Sequence, residues 1–110
     1  MDDVFFDIKS LKGKKIIDGV DIKSVFLKGV MMTYMEFEPN SILPEHSHLH
    51  EQITFIIQGE MELDIDGNTK RLSEGEGAII PSYVKHKARV FDKYTIAIDA
   101  WSPVREDYKI

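Results

Sequence analysis

The densest chemistry in the chain lies in the stretch "PEHSHLHEQ", Pro44 to Gln52, which holds three of the four histidines, at 46, 48 and 50, and a glutamine at 52. The fourth, His86, stands in "PSYVKH" just after a glycine-rich turn, so every imidazole falls in one of two short segments. Neutral imidazole is the commonest protein ligand for a metal ion, and an H-x-H pair on an extended segment turns both rings to one face. His46, His48, His50 and Gln52 share strand parity. A regular strand advances about 6.6 Å for every two residues, so one ion cannot take all four together with His86. A local bend is therefore expected that turns one of these side chains toward the rim of a cleft or to solvent.

The elements that must position these residues read as β-strands. Segments 20–27, 30–38, 51–58, 60–65, 77–80 and 94–101 are rich in β-branched and aromatic residues, and no segment has a persuasive helical period. Met61, Leu63 and Ile65 alternate with Glu62 and Asp64, which describes a strand with one solvated face. Asp66-Gly67 reads as a tight hairpin turn, and the charged run "LDIDGNTKRLSEGE" as a solvated edge. Closely spaced turns with no low-complexity linker and no internal repeat give an all-β sandwich or barrel. A length of 110 residues, 43% apolar and 30% charged, suits one domain over 1–110.

A formal net charge of −5 speaks against nucleic acid, which needs a clustered basic face to meet phosphate. With no cysteine there is no disulfide framework. The start "MDDVFFDIKSLKGKK" lacks the basic-then-apolar order of a signal peptide, and no apolar run approaches the ~18 residues that cross a membrane. A cytoplasmic protein with no membrane partner is the expectation.

The spacing carries a resemblance. Asn40, His46, His48, Gln52 and Gly59 follow the first cupin motif, G-x5-H-x-H-x3-E-x6-G, with two substitutions, and Gly75, Pro81 and His86 follow the second, G-x5-P-x-G-x2-H. Fifteen residues separate Gly59 from Gly75, as in small single-domain cupins. The resemblance implies a cupin double-stranded β-helix, a jelly-roll barrel, with one divalent transition metal ion per chain on His46, His48, Gln52 and His86. Nickel, zinc, manganese, iron and cobalt all suit such ligands. Asn40 stands where the motif has glycine, and asparagine tolerates a left-handed turn. Tyr83 replaces the second-motif glycine, from which no positive φ is expected there. Gln52 replaces the glutamate ligand; its amide oxygen is neutral and leaves the ion its full charge.

The tail "DAWSPVREDY", Asp99 to Tyr108, together with "HSHLHEQ", resembles the small cupins related to KdgF. That resemblance implies that Asp99, Trp101 and Arg105 serve a carboxylated sugar: Arg105 holding its carboxylate, Trp101 covering its ring, Asp99 shuttling a proton. Asp99 and Trp101 share strand parity, opposite to Ile96, Ile98 and Ala100. Plainer readings stand beside these, namely an Asp99–Arg105 ion pair, a core tryptophan and a solvated tail arginine. The implied reaction is the opening of 4,5-unsaturated uronates to linear keto-deoxy acids; a metal-dependent dioxygenase and a non-catalytic sugar-binding module are the alternatives, since one fold serves many functions. A homodimer is also expected, with the apolar "VFFDI" near the start, within residues 1–13, adding to a partner's sheet edge.

Overall fold

A computed structural model of the chain describes residues 4–110. Ten strands follow one another: β1 Lys14–Ile17, β2 Val20–Phe26, β3 Met31–Phe37, β4 Ile42–His46, β5 Glu51–Gln58, β6 Glu60–Ile65, β7 Asn68–Ser73, β8 Gly77–Ile80, β9 His86–Arg89 and β10 Thr95–Ser102. They form two antiparallel sheets, one in the order β1-β2-β3-β10-β5-β8 and one in the order β4-β9-β6-β7. Short 3-10 turns at Ile8–Ser10 and Glu106–Tyr108 are the helical segments among the described residues. None is long and apolar enough to cross a membrane. The two facing sheets form a jelly roll, the architecture that the motif resemblance implied.

Period-two alternation sends one side chain in two between the sheets. From β3 these are Met31, Thr33, Met35 and Phe37; from β10, Thr95, Ala97, Asp99 and Trp101; from β5, Gln52, Thr54 and Ile56. The register then sorts them into rows. Met35, Ala97 and Ile56 lie side by side, as do Thr33, Asp99 and Thr54, and then Met31, Trp101 and Gln52. One end of the interior is thus apolar, closed by Met61, Leu63 and Leu72 from the facing sheet, and the other is polar. Each fully buried aliphatic side chain at the apolar end contributes about 1.5–3 kcal/mol. That end holds the polar end in place.

Turn chemistry fixes the connections. Asp66 and Gly67 both have positive φ, 51° and 82°, as a two-residue hairpin between β6 and β7 requires. Asn40 is left-handed as expected, at φ 65°. Gly59, between β5 and β6, has φ 83°, and a Cβ there would lie 2.4 Å from Thr95 Oγ1. Tyr83 overturns its expectation: φ is 64°, so the backbone keeps the left-handed form without the glycine. The reason is local, since Val84 N–H donates to Pro81 O at 3.3 Å and Tyr83 N–H to His48 O at 2.7 Å. These bonds hold the turn while the phenol ring stays outside.

Candidate metal centre

The chain reaches the site from two sheets and two loops. His46 ends β4 and pairs directly with His86, which begins β9. β4 stops at His46 and β5 starts at Glu51, so the expected single strand across 46–52 is broken between them. The break brings His48 over the polar end and returns the chain in time for Gln52 to point inward from β5. Ring centroids of His46 and His86 lie 4.1 Å apart, of His48 and His86 4.9 Å, and of His46 and His48 5.5 Å. One ligand atom from each of the three rings falls within 4.8 Å of the others, a spacing that a single ion can span.

Hydrogen bonds decide which nitrogen each ring offers. His46 Nδ1 is 2.9 Å from Pro44 O, His48 Nδ1 is 3.0 Å from His50 O, and His86 Nδ1 is 2.9 Å from Val84 O. A carbonyl only accepts, so each Nδ1 carries the proton and donates, which leaves a lone pair on Nε2. His86 Nε2 is buried and has no hydrogen-bond partner. His48 Nε2 lies 3.2 Å from Gln52 Oε1, so in this tautomer two acceptors face each other. A cation removes both conflicts, and the residues present fit one. The same surroundings resist a proton. Burial lowers the His86 imidazole to about 4, and burial followed by the charge of Arg105 lowers that of His48.

Beneath the imidazoles lies a closed polar network. Asp99 is 1% exposed. Its Oδ1 accepts from Thr54 Oγ1 at 2.6 Å and Gln52 Nε2 at 3.3 Å, and its Oδ2 accepts from Thr33 Oγ1 at 3.1 Å. Gln52 Nε2 donates also to Thr54 Oγ1 at 2.8 Å, and Trp101 Nε1 donates to Thr33 Oγ1 at 2.9 Å. Burial pushes the Asp99 carboxyl up to about 6 against the opposing pull of these donors. Trp101 is buried and meets His48, His50 and Tyr108 edge-on, so it forms a wall behind the imidazoles rather than an outer cover.

Arg105 completes the neighbourhood. Its guanidinium lies 3.9 Å from the Tyr108 ring centroid and 5.1 Å from that of Trp101, while Nε donates to Asp107 at 3.0 Å. Among the described residues no ion pair joins it to Asp99. Arg105 Nη1 is buried without an acceptor. A groove of about 480 Å³ runs past Arg105, Tyr108 and His46 and is bounded by Lys14 and Lys15 of β1. His50 is half-buried beside His48 and Trp101 and lies outside the three-imidazole group, in line with the bend.

Sequence reasoning did not single out Thr33 or Thr54. The available signal was parity, because each is a hydroxyl in an otherwise inward series: Thr33 between Met31 and Met35, Thr54 between Gln52 and Ile56.

Residues 33–93 match the protein family described as Cupin domain. The chain is a cupin. It is 27% identical over 93 residues to the pectin degradation protein KdgF of Dickeya dadantii, a match that covers 83% of this chain and 84% of that protein. The structure of KdgF from Halomonas sp. superposes with a TM-score of 0.91 at 27% identity and covers 97% of this chain and 99% of that one. Dimethylsulfoniopropionate lyase DddQ of Ruegeria pomeroyi is 31% identical over 78 residues, which are 69% of this chain but 39% of that protein. Sequence and fold together make this a KdgF-like cupin.

Proposed function

We propose that this cupin opens the ring of a 4,5-unsaturated uronate to give a linear keto-deoxy acid. The observation that carries the reading is Arg105, which has a buried donor, Nη1, without an acceptor and lines a groove that also reaches His46. Arginine offers a flat two-pronged donor that matches a carboxylate. The groove is of a size that takes a single sugar. The likeness to a protein named for pectin degradation, pectin being a polymer of uronate, supports the same substrate class.

His46, His48, Gln52 and His86 are the residues that would hold a divalent ion, which when bound supplies Lewis acidity toward a substrate oxygen. Arg105 binds the carboxylate and orients the ring, with the Trp101 and Tyr108 wall behind it. The hydroxyl on C1 gives up its proton to the Asp99 carboxylate, the C1–O5 bond breaks to leave an aldehyde at C1, and its electron pair passes to an enolate across C4, C5 and O5. A proton then arrives at C4, and the product is an isomer formed without oxidant or reductant. We assign that proton to Asp99 Oδ2, which accepts from Thr33 alone, whereas Oδ1 accepts from both Thr54 and Gln52. Its burial keeps bulk water from the exchange. The test is loss of the ultraviolet absorbance of the conjugated double bond of unsaturated galacturonate, with metal-free protein as blank. Wild-type protein that leaves this absorbance unchanged with every one of the five metals sinks the reading.

We further propose a homodimer. The outward face of the larger sheet carries Ile53, Phe55 and Ile57 of β5 and Ile79 of β8, each between 38% and 73% exposed. Register continues this patch through Ile98 and Ala100 of β10 to Tyr34 and Met32 of β3. The patch itself is uncharged, with Glu36, Glu51 and Lys23 of the same face at its rim, so two copies laid face to face about a two-fold axis bring apolar surface together. Stable dimers bury about 800 Å² on each partner, on the scale of one such sheet face. Val4 and Phe6 are further exposed apolar side chains near the start of the chain.

A further inference from the structure

Gln52 stands where the first cupin motif has glutamate, and its surroundings supply a reason. Its two ends face different partners: Oε1 is 3.2 Å from His48 Nε2, and Nε2 is 3.3 Å from Asp99 Oδ1 and 2.8 Å from Thr54 Oγ1. Donor and acceptor directions in this network are forced. Indole N–H and amide N–H can only donate, so Thr33 accepts from Trp101 and Thr54 accepts from Gln52. Each hydroxyl must then spend its own hydrogen on Asp99, at 3.1 Å and 2.6 Å. Three donors thus converge on one buried carboxylate, and no hydrogen is left over. A glutamate at 52 would bring a second carboxylate against Asp99 Oδ1, and like charges that close in a buried place cannot both stay ionised.

We infer that Gln52 and Asp99 are a matched pair in which Asp99, with Thr54, acts as a positioning residue: the carboxylate takes the amide nitrogen, so that only the amide oxygen is presented to the imidazoles. Asp99 makes glutamine the residue that fits position 52, and Thr54 fixes which way round the amide sits. The stability of the pair is independent of the metal, whereas its purpose rests on the metal-centre reading above.

The experiment separates the two. Four metal-free proteins are compared by thermal midpoint at neutral pH: wild type, Gln52→Glu, Asp99→Asn, and Gln52→Glu with Asp99→Asn. Gln52→Glu should lower the midpoint by about 5 °C or more. Adding Asp99→Asn should recover at least half of that loss, because an asparagine amide again donates across the pair. A Gln52→Glu protein as stable as wild type, or a double variant showing only the sum of the single losses, overturns the pairing. Should Gln52→Glu fail to fold, a folded double variant supports the pairing and an unfolded one overturns it. Zinc(II) titration of Thr54→Val and Thr54→Ser then reads the positioning role. The valine variant should bind at least about tenfold more weakly and the serine variant within about threefold of wild type. A folded Thr54→Val with wild-type zinc affinity overturns that role. Wild type that takes up no zinc removes the purpose as well and leaves the pairing to the stability comparison.

Discussion

His46 on β4 and His86 on β9 are direct cross-strand partners, with ring centroids 4.1 Å apart. Two imidazoles from different cupin motifs therefore meet because of strand register. A slip of one residue would turn one of them to the opposite face of the sheet. The register shift between Leu43 and His46 is part of the same device, since it brings His46 opposite His86. Purified protein should accordingly carry close to one divalent ion per chain by elemental analysis. His48→Ala or His86→Ala should lose it, because three imidazoles reduced to two with a neutral amide retain a labile ion poorly. Full occupancy in both variants would remove the centre as drawn.

The apolar patch on the outer face of the larger sheet gives a separate expectation. Light scattering at micromolar concentration should report about twice the chain mass of 12.7 kDa. Phe55→Glu, at 45% exposure in the middle of the patch, should give the single-chain mass with the fold retained, since a charge desolvated at such an interface is costly. A wild-type protein that runs as one chain counts against the dimer. A Phe55→Glu protein that stays paired places the contact elsewhere.

Gly59 and Gly67 have nearly equal φ, 83° and 82°, but different surroundings. A Cβ on Gly59 would press on Thr95 Oγ1, on Tyr94 O at 2.7 Å and on Thr95 Cα at 2.9 Å, whereas Gly67 has open space. Gly67→Ala meets only the left-handed backbone cost of about 1–2 kcal/mol. Gly59→Ala must in addition move backbone, so its thermal midpoint should fall further, by about 10 °C or more. Equal losses in the two variants would show that the contact at Gly59 relaxes freely.

The strands legible in the sequence were those whose side chains pack. Segments 51–58 and 77–80 coincide with β5 and β8, and β2, β3, β6 and β10 start or end within a residue of expectation, because Val, Ile, Met and Phe alternate along them. The strands β1, β4, β7 and β9 escaped, with sequences KKII, ILPEH, NTKRLS and HKAR that are short and either mostly polar or without a sustained apolar alternation. Pairing to neighbours, rather than local preference, makes these extended. Three of them belong to the smaller sheet, so beyond the hairpin implied by Asp66-Gly67 the pairing of β6 with β9 could not be read in advance. The three imidazoles that could hold a metal ion, His46, His48 and His86, were legible through spacing, since two motifs converge in one fold. The threonines were not, because a hydroxyl inside a strand carries no signal until register sets Thr33 and Thr54 on either side of Asp99. Tyr83 shows the converse error. Losing a glycine from the sequence does not remove the left-handed turn when Pro81 O and His48 O still bind its amides.

Asp99 and Arg105 divide the remaining chemistry between them. Asp99→Asn keeps the shape of the side chain and can still accept from Thr54 and Gln52, but a neutral amide carries no proton. Turnover should therefore fall by about a hundredfold or more while metal content stays at the wild-type level and substrate still binds. Arg105→Lys keeps the positive charge and loses the two-pronged geometry, together with the flat contact on Tyr108 at 3.9 Å. Its main effect should be a raised KM, with a smaller loss of kcat from misorientation of the ring. Both are measured by the disappearance of ultraviolet absorbance from unsaturated galacturonate, with metal content determined on the same samples. An active Asp99→Asn protein would leave ring opening standing and refute the proton role. An Arg105→Lys protein with unchanged KM would move the carboxylate away from Arg105, and the lysines bounding the same groove, Lys14 and Lys15, would be the cations to replace next.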